Sequence, residues 1–218
     1  MTKSHKELKN KHPNLDIYVV GSGPSLNHID KSFFNNKIVI GVNRVAKNVR
    51  CNYIVAKDAR GFKELNHFMG DAEIILSKGE SGQLRNPNKP NFDCYIFDHA
   101  PFAPNFSPDL SVIGSDNIVI SHSTITSGIH LAAYMGAKNI ILVGHDCGSI
   151  DEELTVKNYY DKISPVQGSL SGYHQWLTRG IEKHTIDLKN KLMLNYNCNI
   201  VSINPFINLG LEGHVYKK

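Results

Sequence analysis

The chain has 218 residues, 41% hydrophobic and 20% charged, and its 24 Lys and Arg against 20 Asp and Glu give a formal charge of +4. That size suits one core large enough to fold alone. The modest charge without a long basic block argues against nucleic acid as the main partner, and no apolar run approaches the roughly 20 residues of a membrane span.

Residues 1–14 are rich in Lys and His, lack the apolar stretch of a secretory signal, and read as a polar arm, either frayed or a short helix. From 15 to 218 the pattern is that of a single α/β domain. Apolar, often β-branched runs recur at 17–20, 37–42, 53–56, 73–76, 94–97, 117–120, 139–143 and 199–203. Several are continuous rather than alternating, as in parallel strands covered on both faces. The clearest helices fall at 124–136 and 175–196. In the first, Ile125, Ile129, Leu131, Ala132 and Met135 share one side and Gly136 supplies the stop. This alternation predicts a Rossmann-like fold, a mostly parallel β-sheet with helices on both faces. Segments 79–91 and 100–115 read as surface loops, and 146–172, which follows a core strand and carries Tyr159 and Tyr160, as a lid-like insertion. Cys51, Cys94, Cys147 and Cys198 are widely spaced, with no Cys-x-x-Cys pair. Reduced thiols are therefore expected rather than a metal knuckle or disulfide framework, and with them a cytoplasmic location, peripheral contact with the inner membrane face remaining open.

Open parallel sheets bind ligands beyond the C-terminal ends of their strands, so the residues that follow each strand carry the functional signal. The first strand runs into Gly21-Ser22-Gly23-Pro24-Ser25-Leu26. Glycines permit a tight turn and close approach to a ligand, Pro24 suits the first helical position, and the exposed amides of a helix start suit anionic oxygens. The same residues also serve a plain strand-to-helix turn capped by Ser25. The second strand delivers Asn43 and Arg44, the third Lys57 and Asp58, a later one Ser121 to Thr124, and another Gly144-His145-Asp146. Asn43 suits a turn as well as a ligand, Asp58 suits a helix cap, and Asp146, a carboxylate at the end of a buried strand, must find donors or charge. Thr126, Ser127 and Gly128 open the first long helix, as caps or as ligand contacts.

His122, His130, His145, His174 and His184 are candidate acid–base residues, none of them at metal-ligand spacing to a second histidine. Tyr159, Tyr160, Tyr173 and Trp176 suit stacking or packing. After the last strand Asn204-Pro205 turns the chain over the same edge, where Asn204, Asn208 or Glu212 could meet a ligand while Phe206, Ile207 and Leu209 pack on the core.

The Gly-Ser-Gly-Pro-Ser-Leu loop, the Gly-Val-Asn-Arg that follows the second strand, and Ile-Thr-Ser-Gly-Ile-His-Leu-Ala-Ala-Tyr-Met-Gly-Ala-Lys-Asn-Ile-Ile-Leu-Val-Gly-His-Asp together resemble a known pattern. It is that of bacterial CMP-sialic-acid-dependent sialyltransferases, and equally of the related domain in motility-associated glycosyltransferase-like proteins and 6-hydroxymethylpterin diphosphokinases. The resemblance implies that Ser22, Asn43, Thr126, Ser127 and Gly128 hold the cytidine monophosphate part of a donor. Three positions depart from it: Thr124 stands for an arginine, Gly148 for a tyrosine, and the residues near Asp58 for an asparagine.

The expected nucleotide site is therefore Gly21, Ser22, Gly23, Pro24, Ser25, Asn43, Asp58, Thr126, Ser127, Gly128 and Asp146. His174 is the expected general base, with Tyr159 and Tyr160 on the departing phosphate. The expected partners are a nucleotide or nucleotide-sugar of the CMP-linked type and a glycan acceptor, with no cofactor. A pterin-type diphosphokinase would instead need ATP and Mg²⁺, with Asp58 and Asp146 on the metal. A non-catalytic nucleotide-binding module is the third expectation.

Overall fold

The computed structural model describes residues 1–57, 69–78, 92–98, 107–121, 123–146, 153, 155–157, 180–181 and 183–203. Eight strands form one sheet: β1 (Thr2–Ser4), β2 (Asp16–Val20), β3 (Ile38–Val42), β4 (Tyr53–Ala56), β5 (Glu73–Ser77), β6 (Cys94–Phe97), β7 (Asn139–Val143) and β8 (Asn199–Ser202). Their order is β1-β6-β5-β4-β3-β2-β7-β8, and every pairing is parallel. This is the Rossmann-like α/β architecture expected from the sequence.

Among the described residues, two α-helices lie on one face, α1 (Thr124–Tyr134) and α2 (Lys183–Tyr196). All eleven residues of α1 are buried, and small side chains let it lie close to the sheet. A Cβ on Gly128 would come within 3.2 Å of Val19 Cγ1 and 3.5 Å of Val42 Cγ2. Ile17, Val19, Ile40, Val55 and Leu142 form the core beneath this helix layer. Val20, Val39, Ile141 and Val143 point to the other face, against Leu26, Phe34 and Val45 from short 3₁₀ turns at Pro24–His28, Lys31–Phe34 and Asn43–Lys47. The alternation follows from the period-two geometry of a strand buried on both sides.

The N-terminal segment departs from the expected frayed arm or helix. Thr2–Ser4 pairs with Cys94–Ile96 as an edge strand, a 3₁₀ turn follows at His5–Leu8, and the next residues strap the end of α1. Asn10, His12 and Asn14 donate their amides to the carbonyls of Tyr134, Met135 and Gly136 at 3.0, 2.8 and 2.9 Å. Those carbonyls are among the ones a helix end leaves without intrahelical partners. Only His5 and Leu8 are buried between residues 1 and 14, too few to leave an apolar signature in the sequence.

The run at 117–120 is also different from expectation. It contributes one isolated bridge at Ile118 and no sheet strand, although Ile118, Val119 and Ile120 are all buried. Side chains of α1 take the backbone groups that a neighbouring strand would have used: Val119 N donates to His130 Nδ1 at 3.0 Å, and Ser127 Oγ donates to Val119 O at 2.9 Å. Among the described residues no helix is long and apolar enough to cross a membrane.

Candidate functional site

The chain steps outward from β2 through β3, β4, β5 and β6, then crosses to β7 on the other side of β2. The carboxyl ends of β2 and β7 therefore flank the topological switch point, where open α/β sheets hold ligands. Here the loops after β2 and β7 are bonded to each other. Gly21 N donates to Val143 O at 2.8 Å and Gly23 N to Gly144 O at 2.7 Å. A Cβ on Gly21 would lie 2.6 Å from Gly144 O, and one on Gly23 would meet the Asp146 carboxylate. Close approach between two loops, rather than a left-handed backbone, is what the two glycines provide; Gly144, at φ +63, does adopt that conformation.

Pro24 takes the first position of the following 3₁₀ turn, with Gly23 at its N-cap. Ser25 donates its amide to Asp146 Oδ2 at 2.7 Å and its hydroxyl to Asp146 Oδ1 at 2.6 Å, both residues being buried. The buried carboxylate thus finds the donors it requires. The structure brings Gly21, Gly23, Pro24, Ser25 and Asp146 together as expected, but it places Asp146 itself on the amide expected to face a ligand anion.

The rim on the β3 side has a different character. Asn43 sits at φ +55, a conformation asparagine tolerates better than most residues, and its Nδ2 donates to Thr124 Oγ1 at 3.4 Å. Thr126, Ser127 and Gly128 lie one turn deeper and are buried. The Thr126 hydroxyl shares a 2.7 Å hydrogen bond with Ser121 Oγ, while Ser127 holds Val119 and Gly128 faces Val19. These three position the loop that precedes α1. Lys57, at the end of β4, donates its ammonium to Ser121 O.

Ser22 is half-buried and accepts the amide of Val156 at 2.8 Å. The next residue is held twice: Lys157 N donates to Asn27 Oδ1, and Asn48 Nδ2 donates to Lys157 O, each at 2.9 Å. Val156 is buried against the core on this face. Val156 and Lys157, within the expected lid, are thus fastened across the loops after β2 and β3. These ties rest on Asn27, Asn48 and backbone groups that carry no motif, which is why no local pattern announces them.

Two candidate acid–base histidines are structural. His130 accepts from Val119 N, so its proton lies on Nε2 and is directed at Tyr196 Oη, 3.3 Å away. Burial first, and then the neighbouring His5, push its pKa down to about 3. The hydroxyl of Thr185 donates to Ile181 O at 2.9 Å, so His145 Nε2 must donate to Thr185 Oγ1 at 2.7 Å. Burial lowers His145 to about 4. His184 lies buried in the first turn of α2. Asp58, His122, Tyr159, Tyr160, Gly148, His174, Tyr173, Trp176, Asn204, Asn208 and Glu212 lie outside the described residues.

Residues 1–152, well over half of the 218, match the family described as 6-hydroxymethylpterin diphosphokinase MptE-like. The chain belongs to the MptE-like family. No curated protein matches the MptE-like chain in sequence. Among solved structures it is similar to the sialyltransferase CstII from Campylobacter jejuni in complex with cytidine-5'-monophosphate, at 15% identity, 92% coverage of this chain, 85% of that chain and a TM-score of 0.52. The monofunctional alpha-2,3-sialyltransferase Cst-I from Campylobacter jejuni is similar at 13% identity, with 91% and 79% coverage and a TM-score of 0.51. The MAf glycosyltransferase from Magnetospirillum magneticum AMB-1 is similar at 16% identity and a TM-score of 0.50. The MptE-like chain covers 89% of its own length in that match and spans a third, 33%, of the larger protein. At these identities the likeness is one of fold.

Proposed function

We propose that this MptE-like protein is a nucleotide-dependent transferase of the sialyltransferase-like type, which binds the nucleotide of a CMP-linked sugar donor at the carboxyl edge of its sheet and passes the sugar to a glycan hydroxyl. The observation that carries this reading is the rim formed by Ser22, Asn43 and Thr124 beside the switch point, with the Asn43 amide turned onto Thr124 Oγ1. The fold shared with a sialyltransferase in complex with CMP supports it. Gly21, Gly23, Pro24, Ser25 and Asp146 shape the rim from behind, and Thr126, Ser127 and Gly128 support it from below. The acceptor hydroxyl would lose its proton to His174, with Tyr159 and Tyr160 donating to the departing phosphate.

The family match favours a second reading, diphosphoryl transfer from ATP. That chemistry calls for Mg²⁺ to neutralise phosphate charge. Both oxygens of Asp146 already accept bonds from Ser25, and among the described residues no group of three His, Cys, Asp or Glu stands together. Asp58, the other carboxylate expected on the metal, lies outside the described residues, and no step through the ion is derived.

Thermal shift with CMP, CDP, UDP, GDP and ATP, each with and without Mg²⁺, separates the readings. A ligand at a hundred times its Kd stabilises by about 2.7 kcal/mol, or roughly 5–10 °C for a chain of this size. A shift with CMP that needs no metal supports glycosyl transfer, and a shift with ATP that requires Mg²⁺ supports the second reading. Nucleotide binding by the wild type with no turnover of any donor marks a non-catalytic module, whereas turnover by the wild type that is lost in His174→Ala with binding retained supports the transferase. No shift with any nucleotide refutes the nucleotide site.

A further inference from the structure

Val156 and Lys157 form a crossbar between two loops of the carboxyl edge. Val156 N donates to Ser22 O at 2.8 Å, in the loop after β2. Lys157 N donates to Asn27 Oδ1 on the turn Pro24–His28, and Lys157 O accepts from Asn48 Nδ2 just past the turn Asn43–Lys47, each at 2.9 Å. The Val156 side chain is buried in the cluster that holds Leu26 and Val45, one from each turn. The same two loops carry the rim, for Ser22 precedes the first turn and Asn43 opens the second. Pairing of Val20 with Gly41 fixes the gap between them at its base, and the crossbar fixes it above.

A carbonyl only accepts, so Lys157 O holds the Asn48 amide with Nδ2 turned towards it. Asn48 Oδ1 is left buried with no hydrogen-bond partner. A buried acceptor without a donor costs about as much as one hydrogen bond returns, and the bond to Lys157 is an exposed one that water could replace. The tie therefore adds little to stability, and its effect lies in placement. We infer that Asn27 and Asn48 are positioning residues, which set the gap between Ser22 and Asn43 for the nucleotide by holding Lys157. This rests on the nucleotide-binding reading above and adds to it two residues that act through the crossbar rather than on the ligand. Such coupling is reciprocal: a crossbar that holds the gap favours the nucleotide, and a bound nucleotide holds the crossbar.

The test is isothermal titration of the wild type, Asn48→Leu and Asn27→Leu with CMP and with ATP plus Mg²⁺, together with melting temperatures and amide exchange. Asn48→Leu keeps the shape of the side chain while removing both the tie and the unpaired oxygen, so it should melt within about 3 °C of the wild type. Its Kd for the nucleotide that binds the wild type should nevertheless rise at least threefold, and Asn27→Leu should do the same. In the wild type, saturating nucleotide should slow exchange of the Val156 and Lys157 amides. A Kd in Asn48→Leu within threefold of the wild type overturns the inference while nucleotide binding stands. Exchange at Val156 and Lys157 that bound nucleotide leaves unchanged also overturns it, and that measurement needs no variant to fold. If the wild type binds neither nucleotide, both readings fall together.

Discussion

At the residue scale, the Ser25–Asp146 pair makes the first prediction. Ser25→Ala removes the hydroxyl on Asp146 Oδ1 and leaves a buried carboxylate short of a donor, a loss of about 1–3 kcal/mol. Gly23→Ala should cost more, because the new methyl group falls on the carboxylate and forces the whole contact apart. Chemical denaturation of the two variants checks both the losses and their order. His130 and His145 make a second prediction, about pH. Burial holds them at about 3 and about 4 in the folded protein, whereas an exposed histidine titrates near 6.5. Between those values the unfolded chain binds more protons than the folded one, so stability is complete above about 6.5 and falls as the pH drops towards 4. His12, also lowered by burial, adds to the slope. Urea midpoints measured from pH 7.5 to 4.5 should decline, and His145→Gln, which keeps a donor for Thr185, should flatten the decline. A midpoint that does not move over this range refutes the assignment.

The element scale explains what could be read from the chain beforehand. Strands 53–56, 94–97 and 139–143 match their observed bounds because they are buried on both faces and declare themselves as unbroken apolar runs. Helix α1 was visible from its apolar side and its glycine stop; Gly136 takes φ +91 and donates to Ala133 O at 2.9 Å. The run 117–120 has the same apolar signature as a strand, and no local pattern reveals that His130 and Ser127 satisfy Val119 in place of a neighbouring strand. Strand β1 hides for the opposite reason: at the sheet edge, three exposed residues need no apolar side chain. The candidate site divides in the same way. Polar residues at the strand ends marked the edge, but two residues 121 positions apart, Ser25 and Asp146, gave no sign that they bond each other. A third prediction tests how closely α1 packs. Gly128→Val should overpack the contact with Val19 and Val42 and cost about 1–3 kcal/mol in equilibrium unfolding, with little change in helix content by circular dichroism.

For the whole molecule, the sheet order sets the site by crossing from the β6 side to β7, and the N-terminal segment closes the opposite edge. The ion pairs of Lys6 and Lys9 with Asp116 are largely exposed and contribute little. Leu8 is fully buried, worth about 1.5–3 kcal/mol on its own. Removing residues 1–14 should therefore lower the melting temperature by several degrees and speed proteolysis near the end of α1, whereas Lys6→Ala and Lys9→Ala together should change it little. A truncated chain that melts with the intact one refutes the strap.

That strap also sets an order of events during synthesis. Its partners, Cys94–Ile96 for the strand and Tyr134–Gly136 for the loop, are made long after it. At roughly 5–20 residues per second, residues 2–14 wait on the order of ten seconds for the chain they bind. Polar composition is what such a segment needs. It can stay in water, without clumping, until the rest of the sheet exists and it can fold on last.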